Sequence, residues 1–162
     1  MIVVSNTTPL IGMAVTGHFD LLRQMFGRVT IAQAVFDETV VYGRDEGGAK
    51  AEVLEADWLD IVPVRDRLAV DVLLDELDLG EAETIVLARQ IGADWVLMDE
   101  KKGRRKLNEL RLNKIGTVGL LLKAKELGLL PHIKSDLALL RERGFSISQP
   151  VIEAVLRQAG EQ

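Results

Sequence analysis

Acids, an amide and a hydroxyl stand beside apolar runs in this chain, where their oxygens can bind a cation or handle a proton. Asp99 directly follows the apolar run Trp95–Met98. An acid in that place either caps the next helix or serves as a ligand at the carboxyl edge of a sheet. Asn6 and Thr8 come after Ile2-Val3-Val4 and precede Pro9, where they read equally as turn residues and as oxygen donors. Glu38 stands among Val35, Phe36 and Val41 on a helical pattern, as a solvated glutamate or as an inward acid. Glu81 and Glu83 open another helix, where acids commonly complement the helix dipole. Two residues apart on a helix, they cannot face the same way. Glu81 shares a face with Ile85 and Ala88, and Glu83 with Val86 and Leu87. Periodicity leaves open which of the two points at the sheet edge.

Lys101, Lys102, Arg104, Arg105, Lys106, Arg111 and Lys114 put seven basic residues into fourteen positions. The whole chain has 20 Lys+Arg against 25 Asp+Glu, a net charge of −5, which excludes a uniformly basic nucleic-acid coat. The local inversion reads either as a solvated helix partnered by Glu100 and Glu109 or as a patch that faces phosphates. No aromatic is interleaved, so base stacking is not indicated there. The absence of Cys excludes a disulfide framework, Cys-ligated zinc, an iron–sulfur cluster and a thiol nucleophile. His18 and His132 are far apart and read as surface or packing residues. A metal would have to be held by oxygens, which favours Mg²⁺ or Mn²⁺. Gly116-Thr117-Val118-Gly119 lacks the Walker spacing and the subsequent Lys-Ser/Thr pair, so it is not a P-loop.

Periodicity gives the secondary structure that carries these residues. Ile2–Val4, Val29–Ile31, Ile61–Val62, Trp95–Met98 and, weakly, Lys114–Ile115 read as buried strands. Helical patterns cover Leu21–Phe26, Val35–Val41, Ala49–Ala56, Gly80–Ile91 and Thr117–Leu127, several with a glycine just past the end. In the tail, Ser135 is expected to cap a helix over Asp136–Arg143, and Ser148 a last one with Val151, Ile152, Val155 and Leu156 on one face. Strands alternating with helices imply a mainly parallel sheet covered on both sides. Sites in such sheets lie outside the strands' carboxyl ends, which points at Ser5–Thr8 and at Asp99-Glu100. At 162 residues the chain suits one domain. No run approaches the ~18 apolar residues of a membrane span and no basic flank precedes the apolar start, so a cytoplasmic protein is expected.

Four stretches, in order, carry a resemblance: Ile2-Val3-Val4-Ser5-Asn6-Thr7-Thr8-Pro9-Leu10-Ile11, Leu79–Ile85, Leu97–Arg104 and Gly116–Lys125. Together they resemble the PIN-domain family, in particular its small prokaryotic branch of VapC-like toxins. The resemblance implies a three-layer α/β/α fold, one domain over residues 1–162, with about 131–162 as a C-terminal helical extension. It implies a Mg²⁺- or Mn²⁺-dependent ribonuclease, commonly dimeric, whose acids gather at the sheet's carboxyl edge. Carried over, the first acid falls on Asn6 with its accompanying hydroxyl at Thr8, the second on Glu38, the third on Glu83 and the fourth on Asp99. Glu81 is left as an alternative or supporting ligand. Thr8, Lys101, Lys102, Arg104 and Arg105 are expected to bind RNA, and a cognate antitoxin and a second copy of the chain are the expected protein partners.

Asn6 departs from the family pattern, because an amide oxygen can ligate a hard cation yet brings no charge. That departure supports a competing expectation, a catalytically weak PIN-like protein that binds RNA or a protein. A flavodoxin-like regulator would also carry acids at strand ends, but the Gly116–Leu122 stretch and the tail helices argue against it.

Overall fold

The apolar runs become strands. In a computed structural model describing residues 1–162, β1 (Val3–Ser5), β2 (Val29–Ala32), β3 (Leu59–Val62), β4 (Trp95–Leu97) and β5 (Lys114–Ile115) form one sheet. The strand order is β3-β2-β1-β4-β5 and every pairing is parallel. The register sets Val4 between Thr30 and Val96, and Leu97 between Ser5 and Ile115. Parallel neighbours need long crossovers, and each connection is helical. The chain winds outward from β1 to β3 and then returns to the other side of β1 for β4 and β5. β1 and β4 therefore flank the point where the winding reverses, the usual ligand position in open α/β sheets.

The helices are α1 (Thr7–Val15), α2 (Leu21–Phe26), α3 (Gln33–Phe36), α4 (Lys50–Glu55), α5 (Arg67–Leu73), α6 (Leu79–Ile91), α7 (Lys101–Glu109), α8 (Thr117–Glu126), α9 (Lys134–Glu142) and α10 (Gln149–Ala159). α1 occupies the place where Asn6–Pro9 allowed a turn; Pro9 falls in the first helical turn, where its missing N–H has no intrahelical partner to lose. α5 was not apparent from periodicity, and its start is capped by Asp66, whose carboxylate accepts from Ala69 N at 3.0 Å. α6 has a reciprocal capping box between Asp78 and Glu81 and ends on Gly92 at φ 67°. α9 begins before Ser135, so Ser135 is not its cap. The carboxylate of Glu161 takes that role and accepts from Ile133 N and Lys134 N. Ser148 does cap α10 through Val151 N.

α3 runs on into a π-helical segment, Asp37–Val41, which carries Glu38 over the carboxyl edge and touches both α1 and, through α3, α6. Single π turns often mark functional positions. α1 packs on α8 and α9, and α10 lies on α8. α6 packs on β1, β2 and β4 and is flanked by α5 and α7. One cluster of 34 buried apolar residues fills the space around the sheet, with Val4, Ile31, Val96, Leu97 and Met98 fully enclosed. This is a three-layer α/β/α arrangement. No helix is long and apolar enough to cross a membrane.

Candidate active site

The site is built from residues just beyond the carboxyl ends of β1, β2, β4 and β5. Asn6 N donates to Leu97 O at 2.9 Å, extending the β1–β4 pairing and burying the Asn6 side chain, which is 3% exposed. Its Nδ2 donates to Glu100 Oε2 at 3.0 Å. Its Oδ1 is the one buried side-chain polar atom with no hydrogen-bond partner. Reversing the amide would set oxygen against the Glu100 carboxylate, so the orphaned acceptor is the expected orientation. An enclosed oxygen without a donor costs free energy unless something electropositive reaches it.

The hydroxyls that open α1 hold two acids. Thr8 Oγ1 donates to Glu100 Oε1 at 2.5 Å, and Thr7 Oγ1 donates to Glu38 Oε2 at 2.5 Å. Glu38 also lies against the backbone of Gly80, and a Cβ there would collide with its carboxylate. Asp99 does not cap α7, the helix next in the chain. It reaches sideways to the start of α8, accepting from Thr117 N at 2.8 Å and from Thr117 Oγ1 at 2.7 Å. Thr117 can sit there because α1 presents Gly12, where a Cβ would stand 2.6 Å from Thr117 Cγ2.

Three carboxyls are pushed above the usual carboxylate range. For Glu38 the main cause is burial; the Thr7 bond opposes it, and the charges of Asp78 and Glu100 add to it. For Glu81 it is again burial, opposed by the Asp78 backbone bond and reinforced by Asp78, Glu100 and Glu38. For Asp99 burial also leads, opposed by the two Thr117 bonds and then by Arg104, with Glu100 adding to it. These mutual influences join Glu38, Glu81, Glu100 and Asp99 electrostatically. None of the four takes part in an ion pair.

Glu83 does not join them. Its Oε1 accepts from Ala34 N at 3.0 Å and its Oε2 pairs with Arg67 Nη1 at 2.8 Å. Two residues along an α-helix turn the side chain by about 200°. Glu83 thus faces the starts of α3 and α5, and its charge is committed there. Glu81, whose Oε1 accepts from Asp78 N at 3.1 Å, feels the charges of Glu38 and Glu100. Glu100, which the strand-end rule pointed at together with Asp99, was not among the expected ligands, yet it bonds Asn6 and Thr8. Its signal was available: a second acid directly after the strand end, read instead as a partner for the lysines beside it.

The basic segment divides. Lys101, Lys102 and Arg105 are exposed on α7. Arg104 turns back, and its Nη1 donates to Met98 O at 2.9 Å. Lys106 pairs with Glu109 at 2.8 Å, and Lys114 bonds Asn108. A cavity of about 690 Å³ opens beside Thr8, Asp99, Glu100 and Thr117 and extends to the loop between α9 and α10.

No three Asp, Glu, His or Cys side chains form a ready-made metal cage. The donor set is nonetheless that of a hard dication: carboxylate oxygens whose charge is not offset, beside the unpartnered Oδ1 of Asn6. The residues fit such an ion in kind, with the hydroxyls of Thr7, Thr8 and Thr117 occupying part of their coordination.

Over residues 2–161 the chain matches the family model described as PIN domain. No curated protein matches it.

Proposed function

The chain belongs to the PIN-domain family, a nuclease-type fold that generally uses divalent metals, and from that premise we propose that it is a Mg²⁺- or Mn²⁺-dependent ribonuclease of the toxin-like kind. The supporting observation is the acid cluster at the winding reversal: Glu38, Glu81 and Asp99 all resist ionisation, no cation pairs with them, and the adjacent Asn6 Oδ1 has no donor. In this reading the ion's ligands would be drawn from Asn6, Glu38, Glu81, Glu100 and Asp99. Glu81 takes the place that the family resemblance gave to Glu83.

When bound, the dication supplies Lewis acidity toward a phosphodiester and toward water. The chain's own residues do the rest. Thr7, Thr8 and Thr117 fix the carboxylates, so little reorganisation is needed as charge develops. A carboxylate of the cluster would accept the proton released as water attacks the phosphodiester. Asn6 contributes an oxygen without charge, which leaves the cluster less repulsive toward an incoming phosphate than an acid would. Lys101, Lys102 and Arg105 act as point charges along the RNA backbone.

The same reading makes the chain one domain that works in the cytoplasm, as a homodimer and with a cognate antitoxin. The support for a protein partner is α10, which buries none of its residues fully and leaves Val151 44% exposed. The neutral amide of Asn6 and the lack of a preformed three-acid cage favour a second reading, a catalytically weak module that binds RNA or protein. RNA cleavage with Mn²⁺ or Mg²⁺, against EDTA and against Asp99→Asn, separates them. Metal-dependent cleavage that Asp99→Asn abolishes supports the enzyme. Metal-independent binding without cleavage supports the module.

A further inference from the structure

We propose that the cavity between the acid cluster and the α9–α10 loop is a nucleotide subsite, which seats one unstacked base of single-stranded RNA next to the bond to be cut. The proposal rests on the ribonuclease reading and goes beyond it by naming where the neighbouring nucleotide lies.

The cavity, about 690 Å³, lies within the range of small-ligand pockets. Asp99, Glu100 and Thr117 of the acid cluster line it. Its walls are apolar, formed by Ile11, Val118, Phe145 and Ile147. Lys101 and Arg143 also line it, and neither forms an ion pair. This combination of chemistry matches a nucleotide with its reacting phosphate at the acids, its uncharged base on the apolar side chains, and the next phosphate at a cation. A base stacked within a duplex could not enter such a hollow, whereas a splayed base could.

The far wall is held in place. Arg141 Nε donates to Ile147 O at 2.9 Å, Arg141 Nη1 donates to Gln149 Oε1 at 2.9 Å, and Phe145 N donates to Leu140 O at 3.0 Å. The Phe145 ring approaches α1 at Gly12, where a Cβ would lie 3.2 Å from Phe145 Cε2. The same glycine admits Thr117, which holds Asp99. One close approach thus fixes both the aromatic wall and the acid, so base and phosphate would be registered against each other.

The test uses the full chain and a short fluorescein-labelled single-stranded RNA, with Ca²⁺ in place of Mg²⁺ or Mn²⁺ so that a hard dication offsets the acids during binding. The RNA is compared with copies that carry one abasic nucleotide at successive positions. Removing the base that occupies the subsite should weaken binding about tenfold, within the range for base–aromatic stacking. Phe145→Leu, which keeps apolar volume, should erase that difference and change the base preference beside the cut in Mn²⁺ cleavage. Arg143→Ala, at an exposed position, should lower the salt slope by about 0.7. RNA that is bound or cut, with a flat abasic series and unaltered Phe145→Leu and Arg143→Ala proteins, would overturn the subsite and leave the ribonuclease reading standing. Neither binding nor cleavage would remove both.

Discussion

Replacing Asn6 by an acid sets the electrostatics of the site against its hydrogen bonding. Asn6 Nδ2 donates to Glu100 Oε2 at 3.0 Å, and Asn6→Asp turns that donor into a second carboxylate. Two unit charges about 4 Å apart repel by about 4 kcal/mol at an effective dielectric near 20. Keeping one of two carboxyls neutral at pH 7 instead costs about 3.7 kcal/mol, at ~1.36 kcal/mol per unit above a pKa of ~4.3. The two costs are similar, so the pair shares a proton near neutrality and the metal-free variant loses about 3–4 kcal/mol there. At pH 5 the cost of protonation falls to about 1 kcal/mol by the same conversion. The folded variant holds more protons than its unfolded chain, so its stability falls as pH rises from 5 to 7. Urea unfolding of both proteins in EDTA at the two pH values reads this out. Mg²⁺ at 100 times its Kd should return about 2.7 kcal/mol to the variant. A penalty that is the same at pH 5 and pH 7 would refute the reasoning, because position 6 would then not face Glu100.

Three further outcomes are expected. Partial burial of the Glu161 carboxyl acts to raise its pKa, but Lys125 and the amides of Ile133 and Lys134 outweigh burial and hold it below the usual value. Its contribution is therefore present above pH ~4.5 and lost as pH falls through the depressed value; Glu161→Gln should cost about 1–2 kcal/mol at pH 7 in urea unfolding, with the gap closing below pH ~4. Gly80→Ala places a methyl group against the Glu38 carboxylate, so it should abolish metal-dependent RNA cleavage while far-UV circular dichroism is retained. Changing Lys101, Lys102 and Arg105 together to Ala should lower the salt slope of RNA binding by about 2 with little change in sequence preference, and an unaltered slope would return α7 to the role of a solvated helix.

The strands were legible because each is a short apolar run with its helix patterned differently beside it. Val29–Ile31 lies within the observed β2, and Trp95–Met98 overruns β4 by one residue. The helix of Glu81 was legible to within a residue, because Asp78, Glu81 and Gly92 mark its two ends locally. The misses come from partners distant in sequence. The start of α9 is satisfied by Glu161, near the opposite end of the tail, and not by the local candidate Ser135. Asp99 binds the start of α8 rather than that of α7, because β4 and β5 run side by side. The proposed preference for Glu81 over Glu83 rests on the position of Arg67, on a helix that has no clear periodic signature. Glu100 was marked by the strand-end rule but not counted among the ligands, because its neighbours are lysines, while its hydrogen-bond partners, Asn6 and Thr8, are more than ninety residues away.

The acid cluster around Asn6 is tested most directly by calorimetric Mn²⁺ titration of the native chain beside Glu81→Gln and Glu83→Gln. Glu81 shares the uncompensated site, whereas Glu83 is spent on Arg67 and Ala34. Glu81→Gln should weaken Mn²⁺ binding by about tenfold or more, and Glu83→Gln should leave the affinity of the folded protein near native. Loss of binding in Glu83→Gln with native affinity in Glu81→Gln, or no Mn²⁺ binding by the native chain, would contradict the assignment.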